Sequence, residues 1–226
     1  MCYNSRSIAS SSLDIMSILG YGVFASFVLS LILLTAQVLR ARSFGRRLLY
    51  SLPEGDPRKG VSYALGRGMM PWEKESAAKH LPTYLGGVLY HAGVFAAVVL
   101  ALCLAAGLRP PPAGLRLLRD LAAAGFLAGI GLLFKRAVKP GMRHISCPDD
   151  YLANILVDFF VLAGFLSASF AAAAPPFLIL SIATFLYMPL GKIRHCFFFF
   201  YSRILFGAYF GRRGVLPGKR RAPREA

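Results

Sequence analysis

The chain has 226 residues, of which 56% are apolar and only 16% charged, with a mean hydropathy of +0.56. No soluble globular domain carries that balance, so the sequence describes an integral membrane protein. Its formal charge of +16 gathers beside apolar runs, where basic segments meet anionic lipid or an acidic partner surface, and a nucleic-acid role is set aside.

Five apolar runs are each long enough to cross about 30 Å of hydrocarbon as a helix. In chain order they span residues 15–39, 81–108, 115–134, 151–174 and 177–201. The first is too long for a cleaved leader and lacks a small-x-small cleavage site, so it is expected to stay in the mature protein. The connection of about forty residues that follows carries a turn signal at Pro53, Glu54, Gly55, Asp56 and Pro57. Pro110, Pro111 and Pro112 close the second span, because consecutive prolines supply no backbone donors. The third span is the shortest, with Arg116, Arg119 and Asp120 at its start, where the arginines can snorkel. Pro175 and Pro176 end the fourth span and begin the fifth.

Lysine and arginine cluster in alternate connections. Between the first two spans lie Arg40, Arg42, Arg46, Arg47, Arg58, Lys59, Arg67, Lys74 and Lys79, and between the third and fourth lie Lys135, Arg136, Lys139 and Arg143. The end of the chain adds Arg203, Arg212, Arg213, Lys219, Arg220, Arg221 and Arg224. By the positive-inside rule the N-terminus lies outside and the C-terminus in the cytoplasm. The expected fold is all-α: a five-helix transmembrane domain over residues 1–203, in the cytoplasmic (inner) membrane, followed by a basic cytoplasmic tail over 204–226.

Four scattered cysteines, Cys2, Cys103, Cys147 and Cys196, form no CxxC pair. That gives no support to a cluster-binding or disulfide framework, and without CxxCH any haem is held without thioether bonds. Nucleotide and hydrolase signatures are likewise missing.

Two histidines lie inside apolar spans. His91 stands about nine residues from the cytoplasmic start of the second span, and His195 precedes Arg203 by eight. Antiparallel helices bring both to one level, in the cytoplasmic half, and two neutral imidazoles at one depth can supply both axial ligands of a haem iron. The alternative is hydrogen bonding within the bundle, although intramembrane ionisable groups are functional by default. Gly87 and Gly191 each lie four residues before a histidine, on the same helix face. Glycine there leaves room for a flat macrocycle, and close helix packing is the competing explanation. Lys192 and Arg194 flank His195 and can pair with haem propionates or snorkel to headgroups.

Asp158 is the one acid well inside a span, able to relay a quinol proton or, the preferred expectation, to pair with Lys192 structurally. Pro189 is expected to kink the fifth helix. His80 and His144 sit at the cytoplasmic edge, where imidazoles are usually not ligands.

Three stretches, GVLYHAGVF in the second span, RHISCPDDYLANILVDFFVLAGF opening the fourth and YMPLGKIRH in the fifth, resemble the gamma-subunit family of respiratory nitrate reductases, which includes the cytochrome b subunits of heterodisulfide-reductase-like complexes. The likeness runs from about Met70 to His195. It implies a five-helix cytochrome b that takes electrons from a membrane quinol, menaquinol or ubiquinol, and passes them to a cytoplasmic iron-sulfur partner. Two-haem members of the family would place a second ligand pair where this chain has Ala101 and Phe177. Neither side chain ligates iron, so one haem b is expected, on the cytoplasmic side, and the transfer of the family's quinol site is weakened.

These observations make the chain an electron-transfer subunit of an oxidoreductase complex rather than a complete enzyme. Its haem iron would be held by His91 and His195, with Lys192, Arg194, Gly87 and Gly191 around the cofactor. The rival from a different class is a haem-free membrane anchor or assembly subunit. A small transporter finds little support, since neither a second buried carboxylate nor an inverted repeat is visible.

Overall fold

Every regular element among the described residues is helical. The computed structural model describes residues 3–45 and 52–216, with the backbone alone for residues 3–14, 75 and 76. In chain order the helices are α1 (Tyr3–Ser43), α2 (Pro57–Leu65), α3 (Glu75–Lys79), α4 (Leu81–Ala105), α5 (Pro112–Val138), α6 (Pro140–His144), α7 (Pro148–Ser169), α8 (Ala174–Tyr187) and α9 (His195–Arg212). Single 3-10 turns occupy Arg67–Met69, Pro71–Glu73, Ala171–Ala173 and Lys192–Arg194.

Four helices, α1, α4, α5 and α7, are long and apolar enough to cross a membrane, and a bent pair containing α8 and α9 raises the number to five if it counts as one span. Large apolar side chains such as Ile18, Ile32, Phe95, Leu127 and Phe159 stand outward on these rods, as lipid contact requires. The chain is therefore a multi-pass membrane protein.

The ends of the rods follow from local chemistry. Gly107 adopts φ +68° after α4, a left-handed conformation that glycine enters without a Cβ penalty, and the Leu108 N–H donates back to Cys103 O at 2.8 Å. Pro112 and Pro148 open α5 and α7, where a missing N–H costs nothing. The third span, expected over 115–134, runs as a 27-residue helix, because its early charges sit in the first turns and do not interrupt it.

Three expectations are corrected. The fifth apolar run is not one helix with a kink: α8 stops at Tyr187, residues 188–191 form a turn, and His195 opens α9. Pro189 brings no N–H to Phe185, and Gly191 follows two residues later. The first connection is not a plain loop, since α2, α3 and two 3-10 turns lie in it; Asp56 caps α2 by accepting the Arg58 N–H at 2.8 Å, with Pro57 next to it. The tail expected from residue 204 begins as helix, because α9 continues to Arg212. Of the basic residues counted above, Arg46, Arg47, Lys219, Arg220, Arg221 and Arg224 lie outside the described residues.

The chain divides into two compact units, residues 1–33 with 82–193 and residues 34–81 with 194–226. In the first, Ala97, Leu100 and Ala101 of α4, Ala122 of α5, Phe160 and Val161 of α7 and Phe177 of α8 form one buried cluster. A second cluster joins Val23 of α1 to Leu178 and Phe185 of α8. Where α4 meets α5, a Cβ on Gly93 would lie 2.7 Å from Gly125 Cα, so glycine at both positions is what lets the backbones touch.

The second unit is built on α2 packed against α9. Gly55 faces Gly211 and Gly214, Gly60 faces Gly207 and Gly211, and a Cβ on Gly207 would lie 2.6 Å from Gly60 O. The pairing is antiparallel. Arg203 reaches across it, donating to Ala64 O from Nε at 3.0 Å and from Nη2 at 2.6 Å, and to Gly68 O at 3.1 Å. A guanidinium thereby satisfies a carbonyl in the last turn of α2, where cation and helix dipole also agree.

Candidate functional site

His91 is the eleventh residue of α4, about 15 Å of helix rise from its start. Its ring is exposed on the helix surface. Nδ1 lies 2.7 Å from Gly87 O; a carbonyl can only accept, so Nδ1 carries the proton and, in the neutral ring, the lone pair sits on Nε2. That is the tautomer in which a histidine binds iron, with the other nitrogen anchored on backbone. Tyr90 stands edge-on to the ring, centroids 6.2 Å apart. A Cβ built on Gly87 meets nothing within 4 Å, so this glycine leaves an open shelf one turn from His91.

The other predicted residues are placed differently. Gly191 is buried, and its space is filled by the Tyr187 ring, which a Cβ there would strike. Lys192 ion-pairs with Asp150 at 3.3 Å. Arg194 and His195 are both exposed, at the N-cap and first residue of α9. His91 belongs to the first compact unit and His195 to the second. Ala101 and Phe177 are both fully buried in the cluster of the first unit, with Phe177 stacked on Phe160 at 5.6 Å. His80 and His144 are exposed at the ends of α3 and α6.

For haem, the donor chemistry of His91 and the open shelf at Gly87 fit a ligand and the macrocycle beside it. Gly191 fits less well, since an aromatic ring already uses its space.

Asp158 does not pair with Lys192. Lys192 meets the first turn of α7 at Asp150, and Asp158 lies eight residues further along that helix, about 12 Å of rise. Asp158 is 3% exposed. Its Oδ2 accepts Asn154 Nδ2–H at 2.9 Å, and its Oδ1 has no hydrogen-bond partner. The Tyr90 hydroxyl, beside the same carboxyl, lies 3.3 Å from Asn154 Nδ2. Gly129 of α5 closes the pocket, since a Cβ there would run into Asp158 Oδ1 and lie 2.5 Å from Tyr90 Cε2.

Nearer the start of α7 the groups are charged and paired. Arg136 and Lys192 both reach Asp150, at 3.6 and 3.3 Å, Tyr187 donates to Asp149, and Lys135 donates to Thr83. In the sequence Asp158 stands out as an intramembrane acid, whereas Tyr90, Asn154 and Gly129 do not. The four-residue spacing of Asp150, Asn154 and Asp158, one face of one helix, was the available signal.

Comparison with protein families, with curated proteins and with solved structures finds no match.

Proposed function

We propose that this chain is the cytochrome b subunit of a respiratory oxidoreductase complex of the inner membrane, passing electrons between a quinone pool and a cytoplasmic iron-sulfur partner. The observation that carries the reading is the 2.7 Å contact between His91 Nδ1 and Gly87 O, which presents Nε2 as a ligand atom midway along a membrane span. Gly87 adds the clearance that a macrocycle needs. The second axial ligand is His195, on the sequence register and the resemblance of YMPLGKIRH to the nitrate reductase gamma-subunit family. Lys192 already neutralises Asp150, so Arg194 is the cation offered to a propionate. One haem b, bound by two imidazoles, would supply single-electron exchange between ferric and ferrous iron.

The burial of Ala101 and Phe177 in the packed interior supports one haem rather than two. Basic connections from Arg40 to Lys79 and from Lys135 to Arg143 put those faces in the cytoplasm and suit an acidic redox partner. A haem-free anchor is favoured by the Tyr187 ring at Gly191, which gives that glycine a structural use.

Purified protein from haem-replete cells decides between them. A reduced-minus-oxidised spectrum of b type, lost in both His91→Ala and His195→Ala while the variants remain monodisperse, supports the cytochrome. Protein that purifies without haem, or a spectrum that survives either substitution, supports the anchor.

A further inference from the structure

We propose that Asp158 is a proton-binding site at the blind end of a one-sided polar line into the first unit, reached from the end of the bundle where α7 begins. The site is independent of whether iron is bound.

Asp150, Asn154 and Asp158 recur every four residues and share one face of α7, so together they cover about 12 Å of depth. Asp150 stands in the first turn with Arg136 and Lys192. Asn154 is half-buried and bridges inward, its amide donating to Asp158 Oδ2 at 2.9 Å and lying 3.3 Å from the Tyr90 hydroxyl. Asp158 closes the line. Just beyond it, Phe160, Val161 and Phe177 are at most 1% exposed and pack with Leu100 and Ala101, so the layer that follows Asp158 is apolar.

From α4 Asp158 is faced by Tyr90, a neutral phenol, and from its own helix by Asn154. From α5 it meets Gly129; of the cations on that helix, Arg116 and Arg119 lie thirteen and ten residues before it, Arg119 on Asp120, and Lys135 and Arg136 lie six and seven residues beyond and engage Thr83 and Asp150. From α8 the nearest titratable group is Tyr187, which serves Asp149. Among the described residues no lysine, arginine or histidine pairs with Asp158, and its Oδ1 accepts no hydrogen bond. An anion there would be buried without a counter-charge, at a cost that a carboxyl escapes by taking up a proton. The transfer is a simple one: hydronium at the aqueous end gives up its proton, the Asp158 carboxylate becomes the acid, and water is left behind.

Difference infrared spectroscopy on the full chain in lipid nanodiscs tests this. At neutral pH the C=O stretch of a neutral carboxylic acid is expected, lost in Asp158→Asn and moved but retained in Asp158→Glu. Transfer into D2O shifts that band as the proton exchanges, and Asn154→Leu, which removes the only amide between Asp150 and Asp158, is expected to slow the exchange about tenfold. The absence of the neutral-acid band in wild-type protein, or its persistence in folded Asp158→Asn, overturns the proposal. So does exchange that is equally fast in Asn154→Leu. If Asp158→Asn fails to fold, the wild-type band, its displacement in Asp158→Glu and the exchange rate in Asn154→Leu carry the same test.

Discussion

The hydroxyl of Ser30 on α1 lies against the carbonyl of Phe185 on α8. Phe185 is the residue whose helical donor would come from position 189, and position 189 is proline. The Met188 N–H reaches the same carbonyl at 3.2 Å, in the tighter geometry of a helix end. Ser30 is 1% exposed, and its single proton has a second carbonyl in reach, Ser26 O at 2.8 Å. A break in α8 is thus stitched to a neighbouring span by one side chain.

Ser30→Ala is expected to destabilise the protein by about 1 kcal/mol, the scale of a hydrogen bond within a membrane bundle. In a Pro189→Ala background the loss should shrink, because alanine restores the missing N–H. Unfolding in detergent for the four members of this double-mutant cycle gives the coupling. Additive effects would mean that the serine and the proline act independently.

Gly129→Ala should be costly. Its new methyl would strike Asp158 Oδ1 and the Tyr90 ring, so the carboxyl must leave its bond to Asn154 or the ring must turn, and a loss of about 2 kcal/mol is expected. Adding Asp158→Ala removes one obstacle and should recover part of the stability. Thermal unfolding of the single and double variants measures both, and a Gly129→Ala protein as stable as wild type would show that the pocket yields easily.

Arg203→Lys keeps the charge but loses the fork that meets Ala64 O twice and Gly68 O once. Amide exchange should rise around Gly66 to Met70 while the α5 and α7 amides stay protected, because the two belong to separate compact units. Unchanged protection at Gly66 to Met70 would assign the stability of the α2–α9 pair to its glycine seam alone.

The second unit should also weaken in alkali. Tyr63 donates to Glu73 Oε2 at 2.8 Å, and this bond, with burial and the Glu73 charge, holds its phenol above the usual value of 10.0. The folded state therefore retains a proton that the unfolded chain gives up. The stabilisation is complete below pH 10 and fades as pH rises through the folded-state value. Tyr63→Phe should be less stable than wild type at neutral pH and lose less on going to alkali, read from exchange at α2 across the range.

Much of the architecture was legible because membrane spans are written in composition. Runs such as Leu81 to Leu108 leave a helix as the sole way to satisfy the backbone in lipid, and α1, α4, α5 and α7 lie over them, although α7 stops at Ser169 and not at 174, so that Pro175 and Pro176 open α8 and do not end the fourth span. Residues 177–201 misled for the same reason. Apolar content records the preference for lipid and says little about continuity, which Pro189 and Gly191 decide locally. The glycines show the limit for the site: Gly87 and Gly191 occupy equivalent places before their histidines, yet one borders open space and the other a tyrosine ring. Side-chain packing across helices separates them, and no spacing along one helix encodes it. Asn154 escaped notice because a lone asparagine gains meaning from Asp158 one turn on and Tyr90 on another rod.

If Asp158 takes up its proton from one end only, as proposed, the apolar packing of Phe160, Val161 and Phe177 beyond it would make it a voltage-sensing position. Asp158 is the eleventh of the 22 residues of α7, so a proton that enters from one end and stops there crosses roughly half of the transmembrane potential, worth about 1 kcal/mol per 100 mV. The ratio of protonated to ionised carboxyl would then change roughly fivefold for each such step, so that an energised membrane would load or empty it without any change in bulk acidity.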